Sequence, residues 1–210
     1  MRKTHLLGYA GFSGIFIFAI SILLLHGRQP EISIRYDAMS YYVYGQLGWL
    51  LWAGLLGLGL GSLALAAGLW RIQKGAYARV GILCAGIWGT GLLIAAIFPT
   101  DPKGSWDQPP STRGMIHFSA AIFAFIAITL AALFIAHAFI KDGHWKPVQK
   151  WIVPVTALTA ISFILIMISI VSIFVSHGAP LYFGLTERLF FFMSLCWIGI
   201  ASVGLLRSER

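Results

Sequence analysis

Two short stretches of this sequence gather the side chains best suited to chemistry. The first, IFPTDPKGSWDQPPSTRGMIHF from position 97, sets Asp101, Arg113 and His117 close together. The second, GLTER at 184–188, adds Glu187 and Arg188. A histidine beside a carboxylate can serve as a general base with its orienting partner. His117, Asp101 and Glu187 also have the ligand types of a three-ligand catalytic zinc site. Arginines suit the oxygens of an anionic headgroup, which their planar fork can grip at two points. Three readings are open: a site at Asp101, Arg113, His117, Glu187 and Arg188 that binds a lipid headgroup or small amphiphile; a membrane-embedded lipid hydrolase, metal-dependent or not, using His117 with Asp101 or Glu187; and a structural or accessory subunit whose charges only clamp helix ends.

Other chemistries find less support. His117 and His137 share one apolar run but stand 20 residues apart, about 30 Å on a helix. They cannot ligate one ion, and a bis-histidine haem finds no second histidine at the depth of His117. No HExxH, Walker or dinucleotide glycine pattern occurs, and no cofactor is identified. Cys84 and Cys196 lie inside apolar runs without CxxC spacing and read as small core residues.

The elements that must position these groups follow from composition. The chain has 210 residues, 59% of them hydrophobic and 10% charged, with mean hydropathy +0.84. A water-soluble domain carries about a quarter of its residues charged, so the solvent here is lipid. The net charge of +8 does not imply nucleic acid, because the cations lie between apolar runs rather than in a basic stripe. Six stretches approach the roughly 20 apolar residues that cross a bilayer: about 6–25, 48–69, 80–98, 115–140, 151–175 and 189–206. The fold class is therefore all-α, a six-transmembrane-helix bundle forming one transmembrane domain over 1–210. The first stretch reads as a retained helix, since it is too long for a signal-peptide core and LLLHGRQP offers no small-x-small cleavage site.

With the N-terminus inside, ten of the 15 Lys and Arg fall on the inner face and five on the outer. That bias places both termini in the cytoplasm, in a plasma or inner membrane, with membrane lipids as partners and a homo-oligomer or larger membrane complex left open. The acids run the other way: Glu31, Asp37, Asp101, Asp107 and Glu187 are outside, Asp142 and Glu209 inside. Both chemical stretches thus fall on the outer face.

Spacing also predicts how the helices pack. Gly57, Gly61, Ala64 and Gly68 in the second, and Gly81, Ala85 and Gly89 in the third, are small residues every fourth position or close to it, which lets helices approach closely. In the fifth, Ser162, Ser169, Ser172 and Ser176 fall within a sector about 80° wide. They are either hydrogen-bonding glue or a polar cavity wall with Ser176 and His177 at its rim. Pro99 and Pro102 stiffen the backbone around Asp101, and the Ser111-Thr112 hydroxyls can cap the fourth helix. In GLTER, Gly184 permits a turn, Thr186 can cap and Glu187 would stand in the first turn of the sixth helix. The expected ion pairs are Glu187 with Arg113 and Arg188 with Asp101.

The ordered set Ser40 before Gly48-Trp49-Leu50, GLGLGSLAL, Phe98-Pro99-Thr100-Asp101-Pro102, His117 and Gly184-Leu185-Thr186-Glu187-Arg188 resembles the family called domain of unknown function 998, over nearly the whole chain. The family pattern has a glycine directly after the histidine; Phe118 stands there in this chain. The resemblance implies a six-helix integral membrane protein of bacteria or archaea and assigns no activity.

Overall fold

The computed structural model describes residues 2–105, 108–175 and 182–207, with the side chains of Arg2, Lys3, His144 and Phe174 left aside. Asp107, Ser176, His177, Glu209 and Arg210, used above for charge counts or as a rim, lie outside the described residues. Six helices form: α1 (Arg2–Arg28), α2 (Trp49–Ile72), α3 (Ala76–Ile97), α4 (Thr112–Lys141), α5 (Lys146–Val175) and α6 (Phe183–Arg207). All six are long and apolar enough to cross a membrane, and the described residues contain no strand.

The helices run longer than their apolar cores. A bilayer demands apolar side chains only over its hydrocarbon thickness, while a helix continues until its backbone is capped or broken. The largest difference is at α6, which begins at Phe183 rather than near 189. Gly184, Thr186, Glu187 and Arg188 are therefore helical. Thr186 is not a cap: its hydroxyl donates to the Phe183 carbonyl at 3.0 Å and lies 3.0 Å from the Ser169 hydroxyl on α5.

Each helix packs beside its neighbours in chain order, and α6 closes the ring against α1. α6 also leans inward, where Phe190 and Phe191 anchor an aromatic core. Phe191 meets Phe18 of α1 at 5.1 Å and Trp88 of α3 at 5.7 Å between ring centres; Phe190 meets Phe125 of α4 at 5.0 Å and Phe163 of α5 at 6.1 Å. Lipid supplies no hydrophobic drive between helices, so close packing must hold them. At the α2–α3 contact a Cβ on Gly59 would stand 2.9 Å from the Gly89 carbonyl, and one on Gly89 would stand 2.9 Å from the Gly59 carbonyl. Gly61 packs on Gly14 of α1, and Gly91 on Ala124 of α4. Buried indoles find hydroxyls: Trp88 Nε1 donates to Ser62 at 3.1 Å and Trp197 Nε1 to Thr156 at 3.1 Å.

Of the α5 serines, Ser169 meets α6 through the Thr186 hydroxyl, whereas Ser162 and Ser172 bond to backbone carbonyls of α5 itself. Ser162 and Ser169 are buried; Ser162 donates to the Thr159 carbonyl at 2.9 Å, and Ser172 to that of Ser169 at 2.7 Å.

Candidate functional site

The rim of the bundle, where α1, α3 and α5 end and α2, α4 and α6 begin, is roofed by the long connection between α1 and α2. Its sequence DAMSYYVY carries apolar and aromatic residues that need burial, and a 3₁₀ turn over Met39–Tyr44 sinks Met39, Tyr41 and Tyr42 into the bundle. Gln29 ties the connection to itself, its side-chain amide donating to the carbonyls of Tyr42 (3.0 Å) and Gln46 (2.6 Å). Tyr44 donates through its hydroxyl to the Thr100 carbonyl in the α3–α4 connection. Lys103 reaches the buried Asp37 carboxylate at 2.6 Å.

Arg188 holds this roof to α6. Its Nε donates to His26 Nε2 at 2.9 Å, Nη1 to the carbonyls of Asp37 and Gly184 at 2.9 Å each, and Nη2 to the Tyr42 hydroxyl at 3.1 Å. His26 Nδ1 lies 2.6 Å from the Ile22 carbonyl; a carbonyl only accepts, so Nδ1 carries the proton and Nε2 is free to accept from the arginine. Glu187, one residue earlier on α6, is buried and accepts from the Met39 backbone N–H at 2.7 Å.

These partners correct the expected ion pairs. Glu187 turns inward under the roof instead of meeting Arg113, and Arg188 bonds α1 and the roof instead of Asp101. Asp101 serves the start of α4: its carboxylate accepts from Ser111 N–H at 3.0 Å and lies so close to Gly114 that a Cβ there would overlap it. Ser111 then caps the helix, accepting from Gly114 N–H at 3.0 Å. Arg113 is exposed. The zinc ligand set of His117, Asp101 and Glu187 is not assembled, and among the described residues no group of three or more His, Cys, Asp or Glu could hold a metal ion.

His117, on α4, turns toward the end of α3. Its Nδ1 lies 2.9 Å from the Phe98 carbonyl and 3.2 Å from that of Ala95. The last-turn carbonyls of a helix lack internal partners, and here the imidazole supplies one. Two carbonyls at Nδ1 fix the neutral tautomer with the proton there, leaving Nε2 as the acceptor.

Inner cavities border this histidine, and a rim pocket adjoins them. A pocket of about 340 Å³ opens at the rim between the α3–α4 connection and α4, lined by Asp101, Ser105, Gln108, Met115 and Phe118 with Tyr41. Tyr41, Thr100 and Phe118 also line a deeper cavity of about 80 Å³, where they join Ser40, His117 and Glu187. The last three recur around a third, of about 40 Å³, whose other walls include Phe18, Phe125 and Phe191 of the aromatic core. Polar groups thus line each of these adjoining spaces, set among apolar walls. α5 contributes Ile170 and Ile173 to the middle cavity rather than its serine face, which tells against the polar-wall alternative for those serines. Burial, then the carboxylates of Asp37, Glu187 and Asp101, push the Tyr41 phenol well above its ordinary range, so it remains a protonated donor. Burial and Asp101 likewise raise Tyr44, with Arg113 opposing.

Of the five expected site residues, Asp101, His117 and Glu187 meet these cavities, whereas Arg188 is committed to the roof and Arg113 stands exposed. Ser40, Tyr41 and Thr100 join them from the connections; Ser40 and Thr100 belong to the ordered set that carries the family resemblance, but nothing in the sequence assigns them a chemical role, and the apolar residues of DAMSYYVY signal that this loop is buried.

The family model described as Protein of unknown function (DUF998) matches residues 12–204. No curated protein and no solved structure matches the chain.

Proposed function

The chain belongs to the DUF998 family of proteins of unknown function, and from that premise we propose that this integral membrane protein binds a lipid headgroup or small amphiphile at its rim. The observation that carries the reading is the run of three adjoining cavities, polar around Asp101, Tyr41, Ser40, His117 and Glu187 and apolar elsewhere. A rim pocket of about 340 Å³ falls within the roughly 300–1,000 Å³ typical of small-molecule sites. Met115 and Phe118 in its wall are 49% and 45% exposed, so the pocket continues onto the membrane-facing surface of α4. An amphiphile can place its polar end at Asp101 and Tyr41 while its apolar body lies along that surface. Exposed Arg113, which directly precedes the rim-lining Gly114 in the chain, suits an anionic group. The surplus of Lys and Arg at the opposite end favours a cytoplasmic location for that end and the outer leaflet of a plasma or inner membrane for the rim.

A purely structural role fits Arg188, which makes four hydrogen bonds to the protein's own acceptors, and the Nδ1 side of His117, but it gives no reason for Ser40 to line the cavities. Native mass spectrometry of the detergent-purified protein tests the binding reading. The wild type should retain an amphiphile, and Arg113→Ala should lower the retained fraction about tenfold, the equivalent of about 1.4 kcal/mol. A wild type without bound amphiphile would sink the proposal.

A further inference from the structure

We propose that Ser40 and His117 form a nucleophile–base pair that cleaves acyl esters inside the middle cavity, an activity that rests on the amphiphile-binding reading of the same site. Both residues line all three inner spaces, of about 80, 40 and 10 Å³, that converge beneath the roof. Among the described residues, no other pair combining a hydroxyl and an imidazole does so.

The base is prepared by α3. The Phe98 and Ala95 carbonyls hold Nδ1–H and present Nε2 as the acceptor. This is the orienting task that a carboxylate performs in a Ser-His-Asp triad, here supplied by two backbone oxygens. The nucleophile is prepared by the roof. Ser40 is the second residue of the 3₁₀ turn, and the turn is pinned at Met39 by Glu187, at Tyr42 by Gln29 and Arg188, and at Tyr44 by Thr100. Its neighbours Ala38, Met39, Tyr41 and Tyr42 are buried, and the Ser40 hydroxyl has no hydrogen-bond partner among the described residues. A serine hydroxyl left without a partner beside an imidazole acceptor in a shared cavity is the arrangement that nucleophilic catalysis requires, with the final hydrogen bond closing when substrate enters.

The walls name the substrate class. Tyr41, kept protonated, supplies a donor for the carbonyl oxygen in the same cavity, while Ile122, Ile170 and Ile173 from α4 and α5 form an apolar side for an acyl chain. The rim pocket takes the alcohol portion, with its headgroup near Asp101. Ser40 Oγ attacks the acyl carbon as its proton passes to His117 Nε2. The C–O bond of the ester breaks, and that proton moves to the departing alcohol oxygen, leaving an acyl-Ser40 ester. Water entering through the rim pocket then attacks the acyl carbon, giving one proton to His117. The fatty acid leaves, and the proton returns to Ser40 Oγ. The overall change is ester plus water to acid plus alcohol, with no redox partner.

The test combines a fluorophosphonate probe, read by intact mass and peptide mapping, with hydrolysis of p-nitrophenyl octanoate by the purified full chain. The wild type should take one probe at Ser40 and turn over the ester. Ser40→Ala should lose the adduct and lower turnover at least 100-fold; His117→Gln should slow labelling about 100-fold. Ser40→Ala removes only an unbonded hydroxyl and should unfold at the wild-type temperature, so its loss of activity reads chemistry rather than stability. An unlabelled wild type that retains an amphiphile by native mass spectrometry would overturn the hydrolase and leave the binder standing. An adduct on any residue other than Ser40 would overturn it as well. An unlabelled wild type that also retains no amphiphile would bring down both.

Discussion

The two ends of the bundle use charge differently, although both expose cations, Arg35 and Arg113 among them at the rim. At the rim, Asp37, Glu187 and Arg188 point inward and are bonded to backbone and side chains of the roof, so each charge fixes a piece of chain. At the other end the cations face outward. Arg79 lies over the Trp70 ring at 3.8 Å and Lys150 over Trp151 at 5.2 Å, while Lys146, Lys150 and Arg207 border an open space of about 520 Å³ between α5 and α6. Outward cations stacked on aromatic rings at a helix end suit a lipid interface. The difference teaches that the same residue types can stand outside the bundle at one end and hold its architecture at the other. Only the inward arrangement encloses cavities.

The sharpest way to break this contrast is at Arg188. Its truncation strips hydrogen bonds from His26, the Asp37 carbonyl and the Tyr42 hydroxyl at once. Arg188→Ala should destabilise the protein by about 3 kcal/mol, because each buried acceptor left without a donor carries its own penalty. Arg188→Lys should recover little, since an ammonium on a flexible stem cannot present the guanidinium fork. Thermal unfolding in detergent measures both; a lysine variant as stable as wild type would mean that charge alone secures the roof.

The six spans were legible because hydrocarbon leaves so little freedom. Runs such as 80–98 and 151–175 read directly as crossings. The true start of α6 was not legible, because Glu187 and Arg188 look like rim residues until the roof that satisfies them is in view. The roof itself depends on contacts between residues far apart in the chain, Met39 with Glu187 and Arg188 with His26 and Tyr42. Linear spacing carries no trace of such pairings. His117 stood out as an ionisable group within an apolar run, yet its partners are backbone carbonyls, which every residue possesses and no motif can announce. Pairing Asp101 with Arg188 by their shared rim position failed for a local reason: the carboxylate lies only a short stretch before the exposed amides that start α4, and those amides claim it.

A second substitution sharpens the comparison at the level of one atom. Tyr42→Phe keeps the buried ring and removes the hydroxyl that accepts from Arg188 at 3.1 Å. The guanidinium retains its other acceptors, so the loss should be about 1–2 kcal/mol, as for a hydrogen bond to a charged group. Thermal unfolding again measures it, and Tyr42→Phe combined with Arg188→Ala should cost no more than Arg188→Ala alone, within about 0.5 kcal/mol. Clear additivity in that cycle would show the hydroxyl acting independently of the arginine.

The smallest effects belong to cations that solvent reaches. Lys103 pairs with Asp37 at 2.6 Å, but its side chain is 49% exposed, and half-exposed ion pairs contribute about 0–1 kcal/mol. Asp37 also keeps its bond from the Ser33 N–H at 2.7 Å when the lysine is removed. Lys103→Ala should therefore cost under about 1 kcal/mol, and Lys150→Ala at the opposite end under about 0.5 kcal/mol. Salt should separate the two further, because an exposed pair weakens as ionic strength rises. The wild-type advantage over Lys103→Ala should shrink in high salt, while the comparison with Lys150→Ala stays flat. If Lys150→Ala instead proved more damaging than Tyr42→Phe, the open end would be holding the fold together through its charges. The division between an end with outward cations and an architectural end would then fail.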